Sequence, residues 1–121
     1  MPDNSLEAYE AFLATAPSPH QQMLRALVES ISTGFPQLER VIAWNKVHFR
    51  LGGDYVLGID LLQKALWLHP FDEEAMTEFS KRLEGLHTTK RSFQLPIDGT
   101  PDFSVVHDMV AWSVARLPAS V

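Results

Sequence analysis

Apolar positions near the start of the chain fall at helical spacing. Leu6, Tyr9, Phe12 and Leu13 recur at intervals of three and four, which predicts a helix over residues 5–16. Asn4 and Glu7 have the N-cap and N3 spacing of a capping box. Pro17-Ser-Pro-His breaks the pattern. Ser18 is placed to cap a second helix, with Pro19 in its first turn and Gln21 completing another box. Leu24, Leu27, Val28 and Ile31 form that helix's buried stripe, with Gly34 as its stop and Pro36 preventing continuation. The period then changes to two. Val41 to Trp44 and Val47 to Leu51 alternate as half-buried strands do, and Gly52-Gly-Asp is a hairpin turn. Tyr55 to Leu61 and Ala65 to His69 are two further strands joined by a short turn at Gln63-Lys64.

Pro70 ends the strand run. Asp72 is placed to cap a helix over residues 73–84, with Ala75, Met76, Phe79 and Leu83 inward and Gly85 just past its end. Thr89 to Leu95 is one more strand, ended by Pro96. After a turn at Asp98-Gly-Thr-Pro, Thr100-Pro101 starts a last helix that Pro118 stops. Phe103, Val106, Met109, Val110 and Val114 make its buried face. Short connections favour antiparallel neighbours. The order therefore predicts an α+β domain: an antiparallel sheet of about five strands, with N- and C-terminal helices packed on one face.

Composition narrows the function classes. The 121 residues suit one domain over the whole chain, and 45% hydrophobic residues suffice for one core. No run approaches the roughly 20 apolar residues of a membrane span, and the N-terminus lacks the basic and apolar regions of a signal peptide. The expectation is a cytoplasmic protein without a membrane role. There are no cysteines, which excludes disulfides, zinc–thiolate sites, iron–sulfur ligation by the chain's own thiols and a cysteine nucleophile. Any metal must sit on carboxylate, imidazole or carbonyl groups. A net charge of −5 argues against nucleic acid as a partner.

Three segments carry a family resemblance. They are Phe35-Pro-x-Leu-Glu39 leading into Ala43-Trp-Asn45 and Phe49; Tyr55-x-x-Gly-Ile59, with Gly58 inside a strand; and Lys90-x-x-Phe-x-Leu-Pro96 followed by Pro101-Asp-Phe103. In this order, over about residues 21–116, the chain resembles the YdhG-like family, whose best-known members are frataxin-like bacterial iron chaperones. Val47 stands where that family usually carries proline. The resemblance implies a frataxin-like sandwich, helices on one face of an antiparallel sheet. It also implies weak iron binding through surface carboxylates and delivery to iron–sulfur or haem assembly proteins.

Two groups of residues are candidates for such a metal. Residues 1–39 hold Asp3, Glu7, Glu10, Glu29 and Glu39 against one base, Arg25, and Glu7 and Glu10 share a helix face. Oxygen ligands of this kind suit hard cations. The second group is His69, Asp72, Glu73, Glu74 and Glu78. The plainer explanation of both groups is solvated acids near helix starts, where the dipole favours them, with His69 a surface histidine.

A different chemistry is offered by Trp44, Asn45, His48, Phe49 and Tyr55, with Trp67 nearby in the pattern. These suit an aromatic ligand pocket with Asn45 as a polar handle, or a packed core with Trp44 inside and Asn45 pinning a turn. Lys90 and Arg91, with Lys46 and Arg50, offer a basic rim for an anion, or protection of an edge strand. His20, His87 and His107 stand alone, as surface or helix-end residues. No phosphate loop, His-Glu-x-x-His or Gly-x-Ser-x-Gly occurs, so an enzyme is not expected. The two functions carried forward are iron delivery and a non-catalytic small-molecule or protein-binding module, acting as a monomer or homodimer.

Overall fold

Alternation along the strands divides the sheet into two unlike faces. In the computed structural model, which describes residues 2–99 and 102–117, the strands are β1 (Glu39–Ala43), β2 (Lys46–Leu51), β3 (Asp54–Leu62), β4 (Ala65–Pro70) and β5 (Phe93–Pro96). They pair in chain order as an antiparallel meander. Val47 and Phe49 lie opposite Ile59 and Leu57; Leu61 and Ile59 lie opposite Leu66 and Leu68; and those two lie opposite Leu95 and Phe93. Directly opposed residues share a face, so these side chains form one continuous apolar surface.

Helices α1 (Leu6–Ala14), α2 (Ser18–Gly34), α3 (Ala75–Glu78) and α4 (Ser104–Ala115) cover that surface. Tyr9 and Leu13, then Met23, Leu24, Leu27, Val28 and Ile31, then Val105, Val106, Met109 and Val110 supply the helical half of the core. The α+β architecture expected from the pattern is the one observed. The N-terminal segment adds an edge contact, since Asp3 and Ile42 exchange backbone hydrogen bonds at 2.9 and 2.7 Å.

Local details depart from expectation. Ser5 rather than Asn4 caps α1, accepting from the Ala8 amide at 3.1 Å. Asn4 instead donates to the Glu39 carboxylate at 2.6 Å. Ser18 is inside α2 and Pro17 is its cap, while Gln21 donates back to the Ala16 carbonyl. The helix expected over 73–84 is α-helical only for Ala75–Glu78. Beyond it the backbone bonds shorten toward a three-residue span, with Ser80 to Thr77, Glu84 to Lys81 and Leu86 to Leu83. Phe79 and Leu83 remain buried all the same. β5 is shorter than Thr89–Leu95, because Thr89 and Ser92 close a turn with a 2.8 Å backbone bond and a 2.7 Å hydroxyl contact. The proposed start of the last helix at Thr100-Pro101 and its stop at Pro118 lie outside the described residues.

Candidate functional site

Among the described residues no helix packs on the other face of the sheet, and its residues are unlike those of the core. Lys46, His48 and Arg50 of β2, Gly58 and Asp60 of β3, and Trp67 and His69 of β4 share it by register. Tyr55 joins them after a shift of register beside Phe49 and Arg50. Around His48 the aromatic rings are in mutual contact. Its centroid lies 5.2 Å from Trp44, 5.4 Å from Tyr55, 5.7 Å from His69 and 5.7 Å from Phe71. Trp67 and Phe71 flank His69 at 5.6 and 5.5 Å.

Trp44 reaches this cluster from a turn. Ala43 pairs with Lys46, leaving Trp44 and Asn45 as a two-residue hairpin loop with φ +51° and +60°. Two positive φ values are what a type I′ turn requires. Asparagine tolerates that region, but a bulky aromatic residue there is uncommon and strained. The expectation that Trp44 belongs to the core is corrected: it is 67% exposed. Phe49 is corrected in the opposite sense. It is fully buried on the helix side of the sheet and cannot touch a ligand on the open face. Val47 is likewise a buried β2 residue.

His48 is 1% exposed, and burial pushes its imidazole below the ordinary value of 6.5. Burial lowers His69 too, with His48 and Lys46 adding to the effect. His48 Nδ1 stands 3.1 Å from the Lys46 carbonyl oxygen. Lys46 pairs with Asp60 at 3.6 Å and sits over the Trp67 ring. Arg50 is held at 2.7 Å by Glu39.

The cluster runs into a cavity of about 210 Å³ lined by His69, Pro70, Phe71, Asp72, Glu73, Met76 and Arg91. Lys90 is not part of it. It borders a separate depression beside Thr77, Ser80 and Glu84, and the neighbouring Arg91 supplies the cation here. Asn45 faces a groove against Ala8, Phe12, Ile42 and Leu61 rather than the aromatic cluster.

The expected metal acids do not form one site. Glu10 receives two hydrogen bonds from Arg25, at 2.9 and 2.7 Å. Arg116 binds Asp72 at 2.7 Å and Glu74 at 2.6 Å, and its guanidinium holds the Asp72 carboxyl below the usual range. Glu7, Glu73 and Glu78 are exposed. Among the described residues, no three of the His, Asp and Glu side chains gather at metal-holding distance. His20 and His107 are not free surface groups: His20 is buried with Nε2 2.8 Å from the Leu62 oxygen, and His107 contacts Ser30 and Phe35.

Phe71, Asp60 and Gly58 are the parts of this face that pattern reading did not assign to a site. Gly58 was the available signal, because a glycine inside a strand marks a close approach.

An uncovered sheet face bearing an aromatic–imidazole cluster is the surface of a small α/β sandwich. Solved structures share this fold. A Bacillus subtilis protein of the DUF1801 family (YdhG) superimposes with a TM-score of 0.85 at 19% identity, over 92% of this chain and 91% of that one. An uncharacterized conserved protein from Lactobacillus casei gives 0.61 at 22% identity, over 93% and 91%. No family model matches the sequence, and no curated protein does. Among the described residues no helix is long and apolar enough to cross a membrane.

Proposed function

We propose that this chain is a non-catalytic binding module of the YdhG-like kind, and that its contact surface is the open sheet face. The ligand class is a small molecule with a planar or apolar body. That body lies against Trp44, Tyr55 and Phe71, while a polar end reaches the cavity at Arg91, Asp72 and Glu73. The cavity's volume of about 210 Å³ is small for a whole ligand and suits one end of it.

The observation that carries this reading is Trp44. The chain holds an exposed indole at positive φ, where glycine or asparagine would cost less. Strain kept at an exposed aromatic side chain is accounted for by a contact the single folded chain does not make. Phe71, 40% exposed, extends the same patch.

The carboxylate-borne iron role has less support. Its two acid groups are partly engaged by Arg25 and Arg116, and they do not converge. Indole-3-acetate and tryptamine, titrated separately while the 1H–15N side-chain resonances of the 15N-labelled chain are followed, test the open-face reading. At least one of the two is expected to saturate, with affinity falling roughly tenfold or more in Trp44→Ala. No saturable change with either probe up to about 10 mM would count against it.

A further inference from the structure

His48 and His69 face each other across Gly58, and the absent side chain is what allows it. Strand register sets His48 opposite Gly58 and Gly58 opposite His69, so the three share one row on the open face. A Cβ on Gly58 would stand 2.3 Å from His69 Nε2, 2.2 Å from His69 Cε1 and 3.0 Å from His48 Nε2. Both Nε2 atoms therefore converge on one point above the β3 backbone.

Their hydrogen-bonding leaves those nitrogens available. A carbonyl oxygen only accepts, so His48 Nδ1, 3.1 Å from the Lys46 oxygen, carries the hydrogen and donates it. His48 Nε2 is then a bare lone pair, the tautomer that metal-binding histidines adopt. His69 Nε2 is buried and has no hydrogen-bond partner among the described residues. Leaving a buried ring nitrogen unpaired costs free energy, and such a group calls for an occupant.

The surroundings select what that occupant is. Trp44, Tyr55, Trp67 and Phe71 wall the pair with rings. The charges on the neighbouring row of the same face, Lys46 and Asp60, are engaged with each other. Two neutral nitrogen donors are too few for zinc, which takes four ligands, and wrong in kind for calcium or magnesium, which take oxygen. A monovalent d10 ion accepts two nitrogen donors, and its charge is favoured against aromatic faces. Met76 lines the adjoining cavity beside His69, where a thioether can meet an ion arriving from solvent.

We propose that His48 and His69 form a two-coordinate copper(I) site over Gly58. The proposal rests on the reading of the open face as the binding surface, and adds the ion that this part of it takes. His48 Nε2 loses no proton on binding, and His69 presents its Nε2 lone pair as the Nδ1–H tautomer.

The test is an anaerobic titration of the full chain with copper(I), against bicinchoninate as competitor, with long-range 1H–15N spectra of the imidazoles. One ion per chain is expected, with both Nε2 resonances shifting together. His69→Phe keeps a ring in place and removes the nitrogen; it should weaken binding by roughly 100-fold. His48→Gln should do the same, and His69→Phe decides alone if the buried His48 variant fails to fold. Copper(I) bound equally well by folded His69→Phe would overturn the proposal, as would zinc(II) bound as tightly as copper(I). Aromatic probes that bind while copper(I) does not would remove the copper site and leave the open-face reading standing. Failure of both would remove both.

Discussion

Trp44 and Asn45 concentrate the tension between fold and function in two residues. A positive φ at a non-glycine residue costs on the order of 1–3 kcal/mol, and only part of it returns through the contacts of Trp44 with His48 and Tyr55. Trp44→Gly should leave stability unchanged, or raise it by up to about 1 kcal/mol, in urea denaturation. A loss above about 2 kcal/mol would make Trp44 a stabilising residue instead. Gly58→Ala should behave differently, since its methyl would collide with the His69 ring. The expected loss is about 1–3 kcal/mol, whereas Gly53→Ala, with nothing within 4 Å, should stay within about 0.5 kcal/mol. The two histidines also set a pH dependence. Their folded pKa values lie below 6.5, so as the pH falls the unfolded chain takes up protons first. Stability contributed by the neutral pair is fully present above pH 6.5 and is lost as the pH drops through the lowered values. The urea midpoint should therefore fall between pH 7.5 and 5.5 and flatten in His69→Phe, a comparison made by denaturation across that range.

At the scale of elements, the alternation of apolar residues was enough to place β2, β3 and β4 and the helical stripes of α2 and α4. Periodicity could not say where α3 stops. Ala75, Met76, Phe79 and Leu83 keep helical spacing, yet the backbone past Glu78 tightens into successive turns that still bury Phe79 and Leu83. Packing, rather than helix propensity, fixes that segment, and Phe79 meets Trp112 of α4 edge-on at 5.9 Å. Phe79→Ala should cost about 3–5 kcal/mol by denaturant unfolding. Arg116 joins the same region through ion pairs to Asp72 and Glu74 and by lying over the Trp112 ring at 4.4 Å. Because these contacts are largely exposed, Arg116→Ala should cost no more than about 2 kcal/mol. The turn between β1 and β2 was legible as a turn, but its occupant was not. An aromatic residue at a strand end is usually core, and the two positive φ values at the turn go with a Trp44 that is 67% exposed.

The whole molecule is a sheet with one face committed to folding and the other open. The sandwich was visible in the sequence because burial imposes periodicity on every element it touches. The open face imposes none: His48, Tyr55, Trp67 and His69 come from three strands and meet only through register and the gap at Gly58. The acids that drew attention in the sequence are dispersed by the fold, with Glu10 on Arg25 and Asp72 and Glu74 on Arg116. The most direct test of the open face is therefore an NMR titration of the labelled chain, with indole-3-acetate and tryptamine each in one series and anaerobic ferrous iron in another. The predicted result is that at least one organic probe shifts the Trp44 and Trp67 indoles and the His48 and His69 rings. Perturbation confined to Glu7, Glu10 and Asp72 to Glu78 under iron, with the aromatic face silent in every series, would contradict it.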